Sequence, residues 1–228
     1  MLRYIAEHPI KRVQTFLTSV CMLCLYTFVL LFTLLTHVSI QAADQATLLK
    51  VKGAIGPAIC DYLQRGLKTS AELHAAVVII QIDTPGGLDH SMRQIIQAIL
   101  ASPIPVITYV APDGSRAASA GTYILYASHI AAMSPATNLG AASPIMIGGF
   151  SGKPEQQDNN TKDNDRPVDL KLDTLERKMI NDASAYIKAL ADRHGRNAEW
   201  AAKAVLEAVS LTAREALDIG VIDILTEE

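Results

Sequence analysis

The chain has 228 residues, a formal net charge of −3 and a composition that is 50% hydrophobic and 19% charged. This balance argues against a polyanion-binding protein, whose basic face would make the chain strongly cationic, so we expect no nucleic acid partner. It also excludes a wholly disordered chain, because disorder requires low hydrophobicity and high net charge. The composition indicates a folded domain with its own hydrophobic core.

An apolar segment near the N-terminus predicts export. Arg3, Lys11 and Arg12 precede an uncharged apolar run over residues 16–40. At about 25 residues, this run is long enough to span a bilayer and longer than the usual core of a signal peptide. Residues 1–43 are therefore predicted to be a transmembrane anchor or, alternatively, a cleaved signal peptide. In both cases the basic residues stay cytoplasmic, so we expect the remainder on the extracytoplasmic side of the membrane, periplasmic or extracellular.

The cysteines do not indicate a redox or metal site. Cys21 and Cys24 lie inside the apolar run, where thiolates lack the polar setting that such chemistry needs. Cys60 is the only cysteine after the leader, so no intrachain disulfide is predicted. The sequence also contains neither a G-x-x-x-x-G-K-[ST] phosphate loop nor an H-E-x-x-H zinc motif. We expect no cofactor and no metal.

Strand and helix patterns alternate along residues 44–228, which predicts one α/β domain built from parallel β-α-β units. The run at residues 76–82 is almost entirely apolar and β-branched, as in a strand that is buried on both faces. In chain order, the first predicted elements are strand 47–51, helix 58–71, strand 76–82, helix 88–100, strand 106–110, helix 117–128 and strand 129–133.

The composition of this domain changes once, at residues 151–169, where Lys, Asp, Asn, Gln and Pro dominate. We interpret this segment as a mobile loop, because the residues that follow are too few for a second α/β core. The loop either closes over a substrate as a lid or is a solvated insertion. After it, we predict a long amphipathic helix 170–193, a helix 198–207, a short helix opened by a capping box of Thr212 and Glu215, and a strand 221–225.

Two short motifs could carry chemistry. Gly86 and Gly87 end the turn that follows the apolar strand, and paired glycines leave their amides open to a developing oxyanion; the alternative is an ordinary strand-to-helix turn. Ser119 stands between small residues at a predicted helix start, where its hydroxyl is open to substrate and lies near the positive end of the helix dipole. The alternative there is a serine that serves packing.

Taken together and in this order, the two motifs resemble the ClpP/crotonase superfamily, and more closely the NfeD-type membrane-bound serine proteases found beside stomatin-like proteins. The resemblance extends over residues 48–225 and rests on segments 53–58, 81–87, 117–122, 138–144, 195–197 and 215–223. It implies the ClpP/crotonase-like α/β fold. It also implies Ser119 as the nucleophile and the amides of Gly87 and Ala120 as the oxyanion hole.

A serine nucleophile needs a general base. Where a ClpP-type enzyme has its histidine, this chain has Pro144, so that triad is absent. NfeD-type enzymes use a Ser-Lys dyad, and the resemblance selects Lys178. On a helical projection Lys178 lies about 120° from the centre of the apolar stripe, where a lysine can turn toward a cleft or stay in water. His90 is the histidine alternative, whereas His129, in a short apolar strand, is interpreted as structural.

The resulting hypothesis is an exported, membrane-associated serine endopeptidase that cleaves apolar peptide segments. The resemblance implies that a stomatin-like membrane protein is the substrate or partner, and that the chain forms a homodimer. A non-catalytic scaffold of stomatin-like assemblies is the alternative, and a crotonase-like acyl-CoA enzyme is a weaker one, since export separates it from CoA. Longer relatives continue into transmembrane helices and a small OB-type barrel. Because the sequence stops at Glu228, we expect a short form or an interrupted gene.

The export hypothesis makes a direct prediction. Alkaline phosphatase fused after Glu228 should be active, because that enzyme matures only outside the cytoplasm, and the same fusion lacking residues 1–43 should be inactive. Activity is measured on whole cells at matched expression. The predicted orientation would be contradicted if the alkaline phosphatase fusion were inactive while a reporter that is active only in the cytoplasm, fused at the same position, were active.

Overall fold

The structure, a computed structural model, describes residues 17–29, 45–145 and 168–227, with the side chains of residues 168–173 excepted. The chain divides into two units, Met1–Ala43 and Asp44–Glu228. In the first unit residues 17–29 are helical, and the rest of the predicted anchor lies outside the described residues. Within the described ranges, no helix is both long enough and apolar enough to cross a membrane.

Five parallel strands form the main sheet of the second unit. They are β1 (Ala46–Lys52), β2 (Val77–Asp83), β3 (Val106–Val110), β5 (Ile130–Met133) and β8 (Ile224–Leu225), and they lie in this order across the sheet. In β2, Val78, Ile80 and Ile82 are fully buried, and the residues between them are half-buried. The parallel α/β architecture predicted from the sequence is confirmed.

A second, three-stranded sheet was not predicted. It consists of β4 (Arg116–Ala118), β6 (Asn138–Gly140) and β7 (Ser210–Thr212), with β4 parallel and β7 antiparallel to β6. The prediction of a helix from Ala117 is therefore wrong. Ala117 and Ala118 pair with the middle and end of β6, and this tertiary ladder overrides the helix propensity of alanine.

Six helices complete the described part of this unit: α1 (Pro57–Glu72), α2 (Asp89–Leu100), α3 (Ala120–Ala127), α4 (Val168–His194), α5 (Ala198–Leu206) and α6 (Ala213–Asp218). Successive helices from α1 to α5 pack against one another, and every residue of α3 is buried. The capping box of Thr212 and Glu215 at the start of α6 is confirmed.

Two further predicted boundaries differ from the structure by two residues or more. Strand 221–225 is reduced to the two residues of β8, because the backbone of Val221 and Ile222 bonds instead to Ala216 at the end of α6. Helix α4 begins at Val168, two residues earlier than predicted. The predicted loop 151–169 lies outside the described residues as far as residue 167, so its role as a lid stays a prediction.

Arg196 anchors the C-terminal end of α3. Its side chain is only 2% exposed and forms an ion pair with Asp223 at 2.6 Å. It also donates hydrogen bonds to the carbonyl oxygens of Tyr126 at 3.0 Å and Ser128 at 2.8 Å. The last carbonyl groups of a helix have no hydrogen-bond donor within the helix. Here the Arg196 guanidinium is the donor. This fixes one end of the helix whose other end is Ser119.

Arg196→Met should lower the free energy of unfolding by about 3 kcal/mol, because it leaves buried carbonyls without their donor and removes the cation that pairs with Asp223. Urea denaturation followed by circular dichroism measures the change. Arg214→Met, at an exposed position on α6, is the matched control and should change stability by less than about 0.5 kcal/mol. Equal stabilities of the two variants would contradict the anchoring role.

Candidate active site

Ser119 occupies a strained turn between β4 and α3. Its backbone has φ 50° and ψ −116°, a conformation that costs energy for any residue with a side chain and is concentrated at functional sites. The turn is held by a hydrogen bond from the Ser119 amide to the Gly140 carbonyl at 3.0 Å. The side chain makes no capping bond to α3. The fold therefore presents the serine hydroxyl without using it to stabilise the helix.

The glycine turn lies in backbone contact with two other segments. A Cβ on Gly87 would lie 2.0 Å from the Ile55 carbonyl oxygen, and a Cβ on Gly86 would lie 2.6 Å from the Cβ of Ser119. Two hydrogen bonds of 2.8 Å stabilise the contact with Ile55. The Ile55 amide donates to the Gly86 carbonyl, and the Leu88 amide donates to the Ile55 carbonyl. Gly86 also has a φ of +109°, which favours glycine. Only residues without side chains permit this approach.

Thr84 shapes the same turn and was missed in the sequence. It is fully buried, and its hydroxyl oxygen accepts a hydrogen bond from the Gly86 amide at 3.1 Å. A Ser or Thr hydroxyl can support such a turn by bonding to the backbone two residues further on, although Asn and Asp do so more strongly. The backbone of Thr84 also bonds to Arg116 and Ala118 in β4. Thr84 thus links the glycine turn to the strand that leads into Ser119.

A cleft of about 630 Å³ brings together Gly87, Ser119 and Ala120, three of the four predicted site residues. Among the described residues, neither the Gly87 amide nor the Ala120 amide donates a hydrogen bond to a backbone carbonyl. The rest of the wall is largely apolar. Its apolar members are Pro85, Leu88, Met92, Ala141, Ala142, Pro144, Ile145, Met179 and Ala183.

Lys178 is not brought into this cleft. It is exposed, and the lining residues from its helix α4 are its neighbours Met179, Asp182 and Ala183. The structure therefore places α4 along the cleft but leaves the lysine side chain outside the cleft wall. Catalytic hydrogen bonds are often long in substrate-free sites and tighten when substrate binds. The role of Lys178 as the base stays a prediction.

None of the four histidines after the leader, all of them described, lines the cleft. His90 is exposed on α2. His129 accepts a hydrogen bond from the Val106 amide at 3.2 Å through Nδ1, and its ring meets that of His194 edge-on at 5.8 Å. Burial, together with the positive charge of Arg196, lowers the pKa of His194. These contacts agree with the structural interpretation of His129.

An ion-pair cluster at the edge of the cleft was also missed. Arg93 pairs with Asp89 at 3.0 Å and with Asp182 at 2.5 Å. Its guanidinium lies 4.4 Å from the ring centroid of Tyr186, which stacks on Tyr123. Burial raises the pKa of both phenols, so neither is a base at neutral pH. The spacing of Asp89 and Arg93 signals a helical ion pair, but nothing in the sequence places Asp182 beside them.

Residues 46–227 match the family described as "NfeD1b, N-terminal domain". The chain is 39% identical to membrane-bound protease PH1510 of Pyrococcus horikoshii over 179 residues, which are 78% of this chain and 36% of that protein. It is 41% identical to membrane protein NfeD1b of Bacillus subtilis over 88 residues, 38% of this chain and 19% of that protein. The chain thus matches well under half the length of these curated relatives.

Two similar solved structures are of the 1510-N membrane-bound stomatin-specific protease. One is a serine-to-alanine mutant, with a TM-score of 0.68, 37% identity and 82% coverage of both chains. The other is a lysine-to-alanine mutant in complex with a substrate peptide, with a TM-score of 0.69 and 36% identity, covering 82% of this chain and 77% of that one. Both identities are high enough to compare sites as well as folds.

The close contact at Gly87 makes a prediction for the site. Gly87→Ala should displace the turn from Ile55, lower the free energy of unfolding by about 2 kcal/mol and slow the labelling of Ser119 by a fluorophosphonate at least about tenfold. Intact-mass spectrometry follows the labelling. Gly56→Ala is the matched control, since a Cβ there meets nothing within 4 Å. Unimpaired labelling of Gly87→Ala would contradict the contact.

Proposed function

The chain belongs to the NfeD1b N-terminal domain family, and we propose that it is a membrane-associated serine endopeptidase with a Ser119–Lys178 dyad. The observation that carries the proposal is the strained Ser119 turn, which lines one cleft with Gly87 and Ala120. In the related 1510-N protease, the solved mutants replace a serine and a lysine, and the second holds a substrate peptide. This supports the same pair of residue types here.

The proposed reaction is acyl transfer in two steps. When a peptide fills the cleft, Lys178 turns inward and, as the neutral amine, takes the Ser119 proton while the oxygen attacks the scissile carbonyl. The amides of Gly87 and Ala120 donate to the developing oxyanion. Lys178 then passes its proton to the leaving amine. In the second step Lys178 takes a proton from water, the water oxygen attacks the acyl carbonyl, and Lys178 returns the proton to the Ser119 oxygen as the acid product leaves.

The cleft wall supports an apolar peptide as substrate. Leu88 and Ile145 line it with 46% and 80% of their surfaces exposed, an arrangement that an apolar side chain would cover favourably. The named specificity of the related protease for stomatin supports a stomatin-like membrane protein as the substrate. We propose further that residues 1–43 attach the chain to the membrane, that residues 44–228 form an extracytoplasmic protease domain, and that the chain acts as a homodimer.

Ser119→Ala should abolish hydrolysis of an apolar peptide and leave the unfolding transition unchanged, because it removes one oxygen from a half-buried position. Cleavage is measured by mass spectrometry of the peptide products. Ser143→Ala, at another serine that lines the cleft, is the matched control and should retain cleavage. Cleavage that persists in purified Ser119→Ala would place the nucleophile elsewhere.

Lys178→Ala should remove most of the activity, and Lys178→Arg should do the same, because arginine keeps its proton and cannot act as a base. Lys188→Ala is the control, since Lys188 is exposed on the same helix. His90→Ala and His129→Ala should both cleave the peptide. An active Lys178→Arg enzyme, or a folded but inactive His90→Ala enzyme, would favour a histidine base over the dyad.

A further inference from the structure

Arg93 lies on α2 and joins this helix to parts of the site that are distant in sequence. Within α2 it pairs with Asp89 in the first turn, two residues after Gly87. Through Asp182 and the ring of Tyr186 it contacts α4. Because Tyr186 stacks on Tyr123 of α3 at 6.2 Å, the contact continues to the helix that starts at Ser119. One side chain therefore connects the oxyanion turn, the nucleophile helix and the lysine helix.

The contacts on α4 restrain the helix turn that carries Lys178. Lys178, Asp182 and Tyr186 are spaced four residues apart, so they lie in one row along the same side of the helix. Arg93 holds the second and third members of this row. A rotation or outward shift of α4 that moved Lys178 away from the cleft would have to break both contacts. Arg93 thus restrains the helix turn that carries the lysine.

The same contacts control the charge near Lys178. Asp182 lies one helical turn from Lys178, and an unpaired carboxylate there would stabilise the lysine ammonium, which is the wrong form for a base. Arg93 pairs with this carboxylate and with Asp89. Among the residues that the structure describes, the other titratable groups packed on the cluster are the phenols of Tyr123 and Tyr186, whose pKa values are raised by burial, so they add no charge at neutral pH.

We propose that Arg93 is a positioning residue of the Ser119–Lys178 dyad, which holds the Lys178 turn of α4 against the cleft and neutralises the carboxylates beside it. The inference rests on the proposed function. It distinguishes Arg93 from an ordinary surface ion pair, which contributes little. The contrast within the chain is Arg65, which among the described residues pairs only with Asp61 inside α1 and is 73% exposed. The carboxylates of Asp89 and Asp182 are 69% and 67% exposed, much like that of Asp61, but the Arg93 side chain is only 32% exposed and bridges two helices.

The test uses the full chain in detergent and the rate at which a fluorophosphonate labels Ser119, measured against pH. In Arg93→Gln, labelling at pH 8 should be about tenfold slower, and the pH of half-maximal rate should rise by about one unit. Adding Asp182→Asn to this variant should return the midpoint to the wild-type value. Arg93→Lys should keep the wild-type midpoint, because it keeps the positive charge. Its labelling rate should still be low, because an ammonium lacks the planar guanidinium geometry that binds both carboxylates. Arg65→Gln is the control and should match the wild type.

A purely structural role would slow labelling without moving the midpoint, so an unshifted midpoint in Arg93→Gln would overturn the electrostatic part of the proposal. Hydrogen exchange over residues 176–190 tests the restraint independently of activity. Exchange should accelerate at least about tenfold in Arg93→Gln and stay unchanged in Arg65→Gln; equal exchange in the two would overturn the restraint. Failure of the proposed function looks different, because labelling of the wild-type chain would then be absent or independent of Lys178.

Discussion

The site depends on the close approach of three backbone segments, at Ile55, at Gly86 and Gly87, and at Ser119. A Cβ on Gly87 would overlap the Ile55 carbonyl, and a Cβ on Gly86 would overlap the Ser119 side chain. Because side chains are excluded from this contact, the serine and the amide beside it share one cleft wall. Preorganised donors next to a nucleophile stabilise developing charge without a reorganisation cost, and here the packing of the fold provides that preorganisation.

The nucleophile helix α3 is held at both of its ends. At the start, the Ser119 amide bonds to Gly140, and at the other end the buried Arg196 satisfies the last carbonyls. The strain at Ser119 persists because these contacts leave the turn no lower-energy alternative. The lysine helix α4 is held differently, by the partly exposed cluster around Arg93. The proposed dyad therefore combines a rigid serine with a lysine that is able to move.

The sequence predicted the elements whose signals are local. The apolar run of β2, the glycine pair and the Thr212–Glu215 capping box all carry their signal within a few residues. The three-residue strands β4, β6 and β7 were not predicted, because tertiary contacts determine their pairing and because alanine at position 117 favours a helix. Ser119 could be singled out by its small neighbours, but Lys178 came from the family resemblance alone. The bridge from Arg93 to Asp182 joins residues far apart in sequence, and no periodicity reveals it.

A crystal structure of the full chain after reaction with an apolar peptidyl phosphonate would test the dyad most directly. We expect phosphorus on Ser119 Oγ, with its free oxygen about 3 Å from the amide nitrogens of Gly87 and Ala120. Lys178 Nζ should have turned into the cleft, within hydrogen-bond distance of Ser119 Oγ or of the ester oxygen that remains on phosphorus. An adduct on another residue would contradict the assigned nucleophile. A Ser119 adduct with Lys178 still in solvent and a different side chain beside the oxygen would contradict the assigned base.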